Sequence, residues 1–284
     1  MPFRLLGLAS LALAALASVA VAQPPAARDL FGAVDHPTGG VSTPIGGYAK
    51  GCIAGAVQLP ADGPNWQAMR LSRDRRWGTP ELVSYIEALA QSASKDGWRG
   101  ILVRDMGQAR GGPMKSGHAS HQIGLDVDFW LQPMPNRTLS AAEREDLSAL
   151  SVLKKGTREI DPKLFGEPER LLIYRAATLP GVARIFVAPG IKRSLCQTNW
   201  RDRSFLQKIR PWYGHDDHFH VRLSCPPGIA SCQDQAPAPQ GDGCGAELDY
   251  WFTDAPYKPS NKPPAPPLTL AELPKACAAV LRAD

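Results

Sequence analysis

Five of the chain's six histidines lie in two short segments: Gly117-His118-Ala119-Ser120-His121 leading on to Asp126-Val127-Asp128, and His215-Asp216-Asp217-His218-Phe219-His220. Packing alone rarely concentrates imidazoles in this way. Imidazole and carboxylate are the donors zinc takes in catalytic sites, where three protein ligands leave a fourth position open for water. His121 precedes Asp128 by seven residues, a separation that a loop followed by an extended segment can close onto one metal. In an extended chain His218 and His220 point to one face and Phe219 to the other. One imidazole can then bind metal while its neighbour meets a substrate. His121, Asp128 and His220 are therefore read as a metal set. Asp126 shares its strand face with Asp128, and spacing leaves open which of the two is the ligand and which holds the loop by hydrogen bonds. One of Asp216 and Asp217 is expected to accept an imidazole N–H and orient that ring. His36 stands apart and reads as structural.

The elements that must position these residues are legible in part. Thr79-Pro80-Glu81, followed by apolar residues at helical spacing, predicts a helix over 80–95 with Thr79 as its N-cap. Ile101-Leu102-Val103 reads as a short buried strand. A Gly-rich loop from Gly107 to Gly117 leads from it to Ile123–Trp130, where apolar and acidic residues alternate, and the two segments are expected to pair. A Ser140-x-x-Glu143 capping box opens a helix expected over 140–153, and 168–177 carries a second helical pattern. Residues 183–188 and 218–223 read as strands. Residues 23–48 lack periodicity and are expected to wrap a surface, with ordered structure beginning near Gly51. Strands flanked by helices without strict alternation indicate an α+β fold: a small, mostly antiparallel sheet flanked by helices, with long disulfide-stapled loops.

Residues 1–22 carry one positive charge, Arg4, then an uncharged Leu/Ala-rich run ending Ala20-Val21-Ala22. This is the pattern of a secretory signal peptide cleaved after Ala22; an uncleaved anchor is the alternative, because the 18-residue run from Leu5 to Ala22 sits near the lower limit for a membrane span. No later stretch is apolar enough to insert in a membrane. Residues 23–284 then form one domain with an irregular Pro-rich segment at about 235–267. Six cysteines in an exported chain read as three disulfides. Cys225–Cys232 closes a short loop through Pro226 and Pro227, Cys52–Cys277 would tie the chain's two ends together, and Cys196–Cys244 remains. With 284 residues, 44% hydrophobic and 21% charged, the chain is long enough for a sizeable core. Its net charge of +5 comes without the basic blocks of a nucleic-acid binder.

The strings Ser116-Gly117-His118 through Trp130, and His215 through Leu223 with Cys225-Pro226 following, resemble the penicillin-insensitive murein endopeptidase family. The likeness runs from about Gly46, through Tyr48-Ala49-Lys50-Gly51-Cys52 and Arg70-Leu71-Ser72-Arg73, to the tail. The wider group of zinc peptidases shares a His-x6-Asp and a His-x-His element, both present here. By that resemblance residues 23–284 are a zinc-peptidase domain acting in the periplasm, and His121, Asp128 and His220 hold Zn2+. His218 is then the catalytic base or transition-state stabiliser, His215 assists it, and His118 lies beside the metal as an alternative ligand. The substrate implied is the peptidoglycan cross-link, specifically the D-alanyl to meso-diaminopimelyl amide, attacked by a zinc-activated water. A carboxypeptidase or dipeptidase of the wider group, or a non-catalytic peptidoglycan- or metal-binding module, are the alternatives. Arg70, Arg73, Arg75, Arg76 and Arg104 are candidates to meet substrate carboxylates, against a plainer role in surface salt bridges. Trp66, Trp77, Trp130 and Trp212 are candidates to line a cleft, against a place in the core or at its rim.

Overall fold

The computed structural model describes residues 24–284, so the segment read as a signal peptide lies outside the described residues. The strands are Thr43–Gly47 (β1), Lys50–Ala54 (β2), Val57–Gln58 (β3), Asp62–Gly63 (β4), Trp66–Ala68 (β5), Trp77–Gly78 (β6), Ile101–Val103 (β7), Asp126–Trp130 (β8), Val182–Val187 (β9), Ile209–Pro211 (β10) and His218–Leu223 (β11). Between and around them run the helices Ala27–Phe31 (α1), Pro80–Lys95 (α2), Ala141–Asp146 (α3), Glu167–Thr178 (α4), Pro189–Gln197 (α5), Ala246–Tyr250 (α6) and Lys275–Arg282 (α7). The fold is α+β. Seven strands form the main sheet in the order β10-β9-β11-β8-β7-β5-β4. Neighbours are antiparallel except for the pairs β10/β9 and β7/β5. Among the described residues, no helix is long and apolar enough to cross a membrane.

The period-2 alternation of β8 and β11 divides the sheet into two faces. In their register His220 lies opposite Asp128 and Arg222 opposite Asp126, which puts Val127, Phe129, Phe219 and Val221 together on the other side. There they join Ile185 and Val187 of β9 and pack against Leu82, Ile86 and Leu89 of α2 and Leu172 and Ile173 of α4. Each such side chain, fully buried, contributes roughly 1.5–3 kcal/mol. The polar face is thus backed by a continuous apolar core.

Helix ends follow local chemistry. The Thr79 hydroxyl accepts the Leu82 N–H at 3.2 Å, and Pro80 occupies the first helical position of α2. The Ser140–Glu143 capping box forms, yet α3 stops at Asp146, well short of the expected 153. Arg70 is the cause: its guanidinium binds the carbonyls of Arg144, Glu145 and Leu147, where a continuing helix would need them. Helix α5, absent from the sequence expectation, hides behind a polar code. Its buried side includes Lys192, whose ammonium group donates to the carbonyls of Leu206 and Asp242.

Ordered structure begins earlier than expected. Phe31 of α1 and Ile45 of β1 are buried with Leu273, Cys277 and Val280 in a small separate core. Arg110 binds the carbonyls of Val280 and Leu281, both at 2.9 Å, and so fastens α7 to the Gly-rich loop. The disulfides are Cys52–Cys277, Cys196–Cys244 and Cys225–Cys232, the three pairings favoured by the sequence, and no cysteine among the described residues is free. The Pro-rich segment 235–267 is largely exposed and folds locally into α6.

Cys52 and Cys277 are separated by 225 residues, so their bond constrains the unfolded chain strongly. Replacing both by serine is expected to lower the unfolding free energy by roughly 2–5 kcal/mol, measured by urea titration. A change within about 0.5 kcal/mol, the scale of a neutral surface substitution, would contradict this.

Candidate active site

Asp126 and Asp128 share one face of β8 but have opposite surroundings. The Asp126 carboxylate is fully used: it accepts the His121 backbone N–H at 2.9 Å, His220 Nε2–H at 3.0 Å and Arg222 Nε–H at 2.8 Å. Burial alone would push its pKa up, but Arg222 and His220 hold it far below the ordinary carboxylate range. Asp128 is equally buried, yet neither of its oxygens has a hydrogen-bond partner. The choice that spacing leaves open therefore falls to the donors around each group: Asp126 organises the loop, and Asp128 is free to bind.

The imidazoles near Asp128 have their tautomers set by what they touch. His121 Nδ1 lies 2.8 Å from the Met106 carbonyl, an acceptor only, so Nδ1 carries the proton and Nε2 presents its lone pair. His220 Nε2 donates to Asp126, which turns Nδ1 inward. The three inward atoms form a triangle: His121 Nε2 to His220 Nδ1 is 3.1 Å, His121 Nε2 to Asp128 Oδ1 is 3.4 Å, and His220 Nδ1 to Asp128 Oδ1 is 3.3 Å. Tetrahedral zinc with bonds of about 2.0–2.2 Å has ligand atoms roughly 3.3–3.6 Å apart. Donor type, spacing and the two unpartnered oxygens of Asp128 all fit a divalent metal of this kind. Burial disfavours charge on His121 and lowers its pKa. Burial opposes charge on His220 as well, but Asp126 and Asp128 together raise it to about 9.

The remaining histidines stand around this triangle. His218 Nδ1 donates to Asp217, the expected orienting carboxylate, and its Nε2 lies 3.8 Å from Asp128 Oδ2. The His215 ring is 4.9 Å from that of His218; burial and the neighbouring imidazoles depress its pKa to about 3, which keeps it neutral. His118 groups with His121 and Asp128 as a possible metal donor. Its Nε2, however, is 2.8 Å from Asp105 Oδ2 and 3.6 Å from Asp128 Oδ2. His36 is remote and hydrogen-bonds with Arg110.

The loop that carries His118 and His121 is held by backbone geometry. His121 has φ +67°, a left-handed conformation that few residues with side chains adopt, and its N–H reaches Asp126 from it. At Gly124, φ +73°, a Cβ would come within 2.6 Å of Ile53 Cδ1. Behind the loop, the Gln122 side chain accepts the Gly51 N–H and its backbone N–H reaches the Tyr48 carbonyl, so the β1–β2 hairpin supports it.

A cleft of about 730 Å³ opens over the triangle, lined by His118, His215, His218 and His220 among others. Of the tryptophans, Trp66 and Trp130 are buried, Trp77 is hydrogen-bonded to Asp74, and Trp212, half exposed, lines the cleft. Among the arginines Arg70 caps α3, Arg73 and Arg75 bind Asp105, and Arg76 binds the Leu59 carbonyl. Only Arg104 of that group lines the cleft. The sequence reading missed Asp105 and the cleft-lining Arg184, Arg210 and Arg222; single charged residues scattered over separate segments carry no periodic signal.

This is an α+β protein with a histidine–aspartate metal-type centre on the floor of an open cleft. The chain belongs to the penicillin-insensitive murein endopeptidase family: the family model of that description matches residues 44–282. It is 44% identical over 242 residues to the penicillin-insensitive murein endopeptidase of Haemophilus influenzae, covering 85% of this chain and 83% of that protein. Similar matches are the proteins so named from Klebsiella pneumoniae (strain 342; 42%, with 87% and 89% covered) and Yersinia enterocolitica (41%, with 95% and 94% covered).

Asp105 gives a pH prediction. Burial raises its pKa, but His118 and then Arg75 outweigh it and bring the group from 3.8 to about 2. A depressed carboxyl stabilises the fold above its unfolded pKa and stops doing so as pH falls through the folded one. The contribution, about 2 kcal/mol, should be intact above pH 4 and vanish between about 4 and 2. In Asp105→Asn the loss of stability between pH 4 and 2, followed by urea unfolding, should be smaller than in the wild type by about 2 kcal/mol, the remaining slope coming from other depressed carboxyls such as Asp126 and Asp217.

Proposed function

We propose that the chain is an exported, zinc-dependent murein endopeptidase that works in the periplasm and hydrolyses the D-alanyl to meso-diaminopimelyl amide of peptidoglycan cross-links. The reading rests above all on the convergence of two imidazole nitrogens and the unpartnered Asp128 carboxylate at the floor of a cleft, and the names of the chain's relatives support its murein endopeptidase part. His121, Asp128 and His220 would hold zinc, with His118 as an alternative donor. When bound there, zinc supplies Lewis acidity that brings a water's pKa from 15.7 toward about 7.

The chain's own residues supply the rest. Asp126 keeps His220 in the tautomer that faces the centre and holds the His121 backbone, and the Met106 carbonyl fixes the tautomer of His121. Asp217 accepts a hydrogen bond from His218 Nδ1–H, which leaves His218 Nε2 on the cleft side to accept a proton from the attacking water and deliver it to the leaving amine. His215, neutral and packed beside His218, positions that ring. No serine or cysteine nucleophile takes part, so there is nothing in the mechanism for penicillin to acylate.

His218→Ala should retain zinc, measured by metal analysis of the purified protein, and lose at least ~100-fold in turnover. His121→Ala should lose both. Purified sacculi digested by the wild type should release monomeric muropeptides from dimers, seen by mass spectrometry, and a chelator should abolish the release. Trimming of terminal residues with dimers left intact would instead indicate a carboxypeptidase, and His218→Ala with full activity would remove its assigned role.

A further inference from the structure

Three arginines stand in a row on the polar face of the sheet. Arg222 of β11 pairs in register with Arg184 of β9, and Arg210 of β10 lies opposite Phe186 of β9, itself opposite His220. By strand alternation all three share the face of His220, Asp126 and Asp128, and all three line the cleft. Like charges directly opposite one another in a sheet are destabilising, so this arrangement calls for an anion.

The protein supplies anions unequally. Arg222 is neutralised by Asp126 and also binds Gln235. Arg210 pairs with Glu247, a partly exposed residue of α6, while its Nη1 is buried without a hydrogen-bond partner. Arg184 has only the Ala236 carbonyl, at 2.7 Å, and no ion pair among the described residues. Burial, reinforced by Arg222, lowers its pKa. A half-buried guanidinium with one neutral partner, on a cleft wall two residues along from the strand position opposite His220, is placed to bind a carboxylate from outside the chain.

We propose that Arg184, flanked by Arg210 and Arg222, is a carboxylate-binding subsite that holds the free carboxylate beside the bond being cut. The inference rests on the endopeptidase reading, because the diaminopimelyl carbon that bears the scissile amide nitrogen also bears a carboxylate. That carboxylate is fixed in place relative to the leaving amine. Holding it sets the register of the peptide over the metal-type centre and selects acidic over amidated cross-links.

The test uses two synthetic cross-linked peptides that differ only in this group, carboxylate in one and carboxamide in the other. Turnover is measured with the zinc-loaded full chain, and binding to the chelator-stripped protein by calorimetry. The wild type should prefer the acid roughly tenfold or more, chiefly through KM. Arg184→Gln should erase that preference by weakening the acid alone, and Arg184→Lys should restore part of it. Equal handling of the two peptides by the wild type overturns the subsite, and so does an equal loss on both in a folded Arg184→Gln protein. If Arg184→Gln does not fold, the wild-type comparison and Arg184→Lys decide. If neither peptide is cut but the stripped protein binds the acid selectively and Arg184→Gln abolishes this, the subsite stands and the endopeptidase reading falls. With neither cutting nor selective binding, both fall.

Discussion

A buried carboxylate costs several kcal/mol unless it is paired and hydrogen-bonded, and Asp126 meets that condition by gathering groups from three parts of the chain. Its partners are the His121 backbone, the His220 ring and the Arg222 guanidinium. Each bond that lowers the cost of burying Asp126 also fixes something the site needs. One holds His121 in an uncommon backbone conformation, one sets the tautomer of His220, and one anchors an arginine at the entrance to the cationic row. Without that carboxylate the His121 loop, the His220 ring and the Arg222 side chain would lose their common anchor.

The second constraint is the apolar face behind the polar one. Val127 and Phe129 alternate with Asp126 and Asp128, and Phe219 and Val221 alternate with His218, His220 and Arg222. Packing of Val127, Phe129, Phe219 and Val221 against α2 and α4 therefore prevents a slip of register, since a one-residue shift of β11 would turn His218 and His220 into the core. The precision of the site is borrowed from hydrophobic packing on the far side of the sheet.

Much of this was legible in the sequence, and the exceptions have physical causes. Alternation and capping are local codes, so β8, β11, the start of α2 and the capping box at Ser140 could be read directly. Where α3 ends could not, because Arg70, some seventy positions upstream, takes its last carbonyls. The distinct roles of Asp126 and Asp128 were also hidden: both lie on one strand face, and what separates them is Arg222, nearly a hundred residues away. Asp105 and Arg184 are single charged residues whose partners come from distant segments. Spacing identifies donors that are close together in the chain; it does not say which of them tertiary structure will satisfy.

The support behind His121 has an order of manufacture built into it. His121 sits on a loop steadied by the β1–β2 hairpin, and that hairpin is joined through Cys52 to Cys277, while Arg110 grips the carbonyls of residues 280 and 281. A growing polypeptide has produced both histidine-bearing segments well before residue 277 exists, and the bond to Cys52 further requires an oxidant. The nascent chain thus holds its metal-type donors before the tie from Cys52 to Cys277 that steadies their supporting hairpin can form.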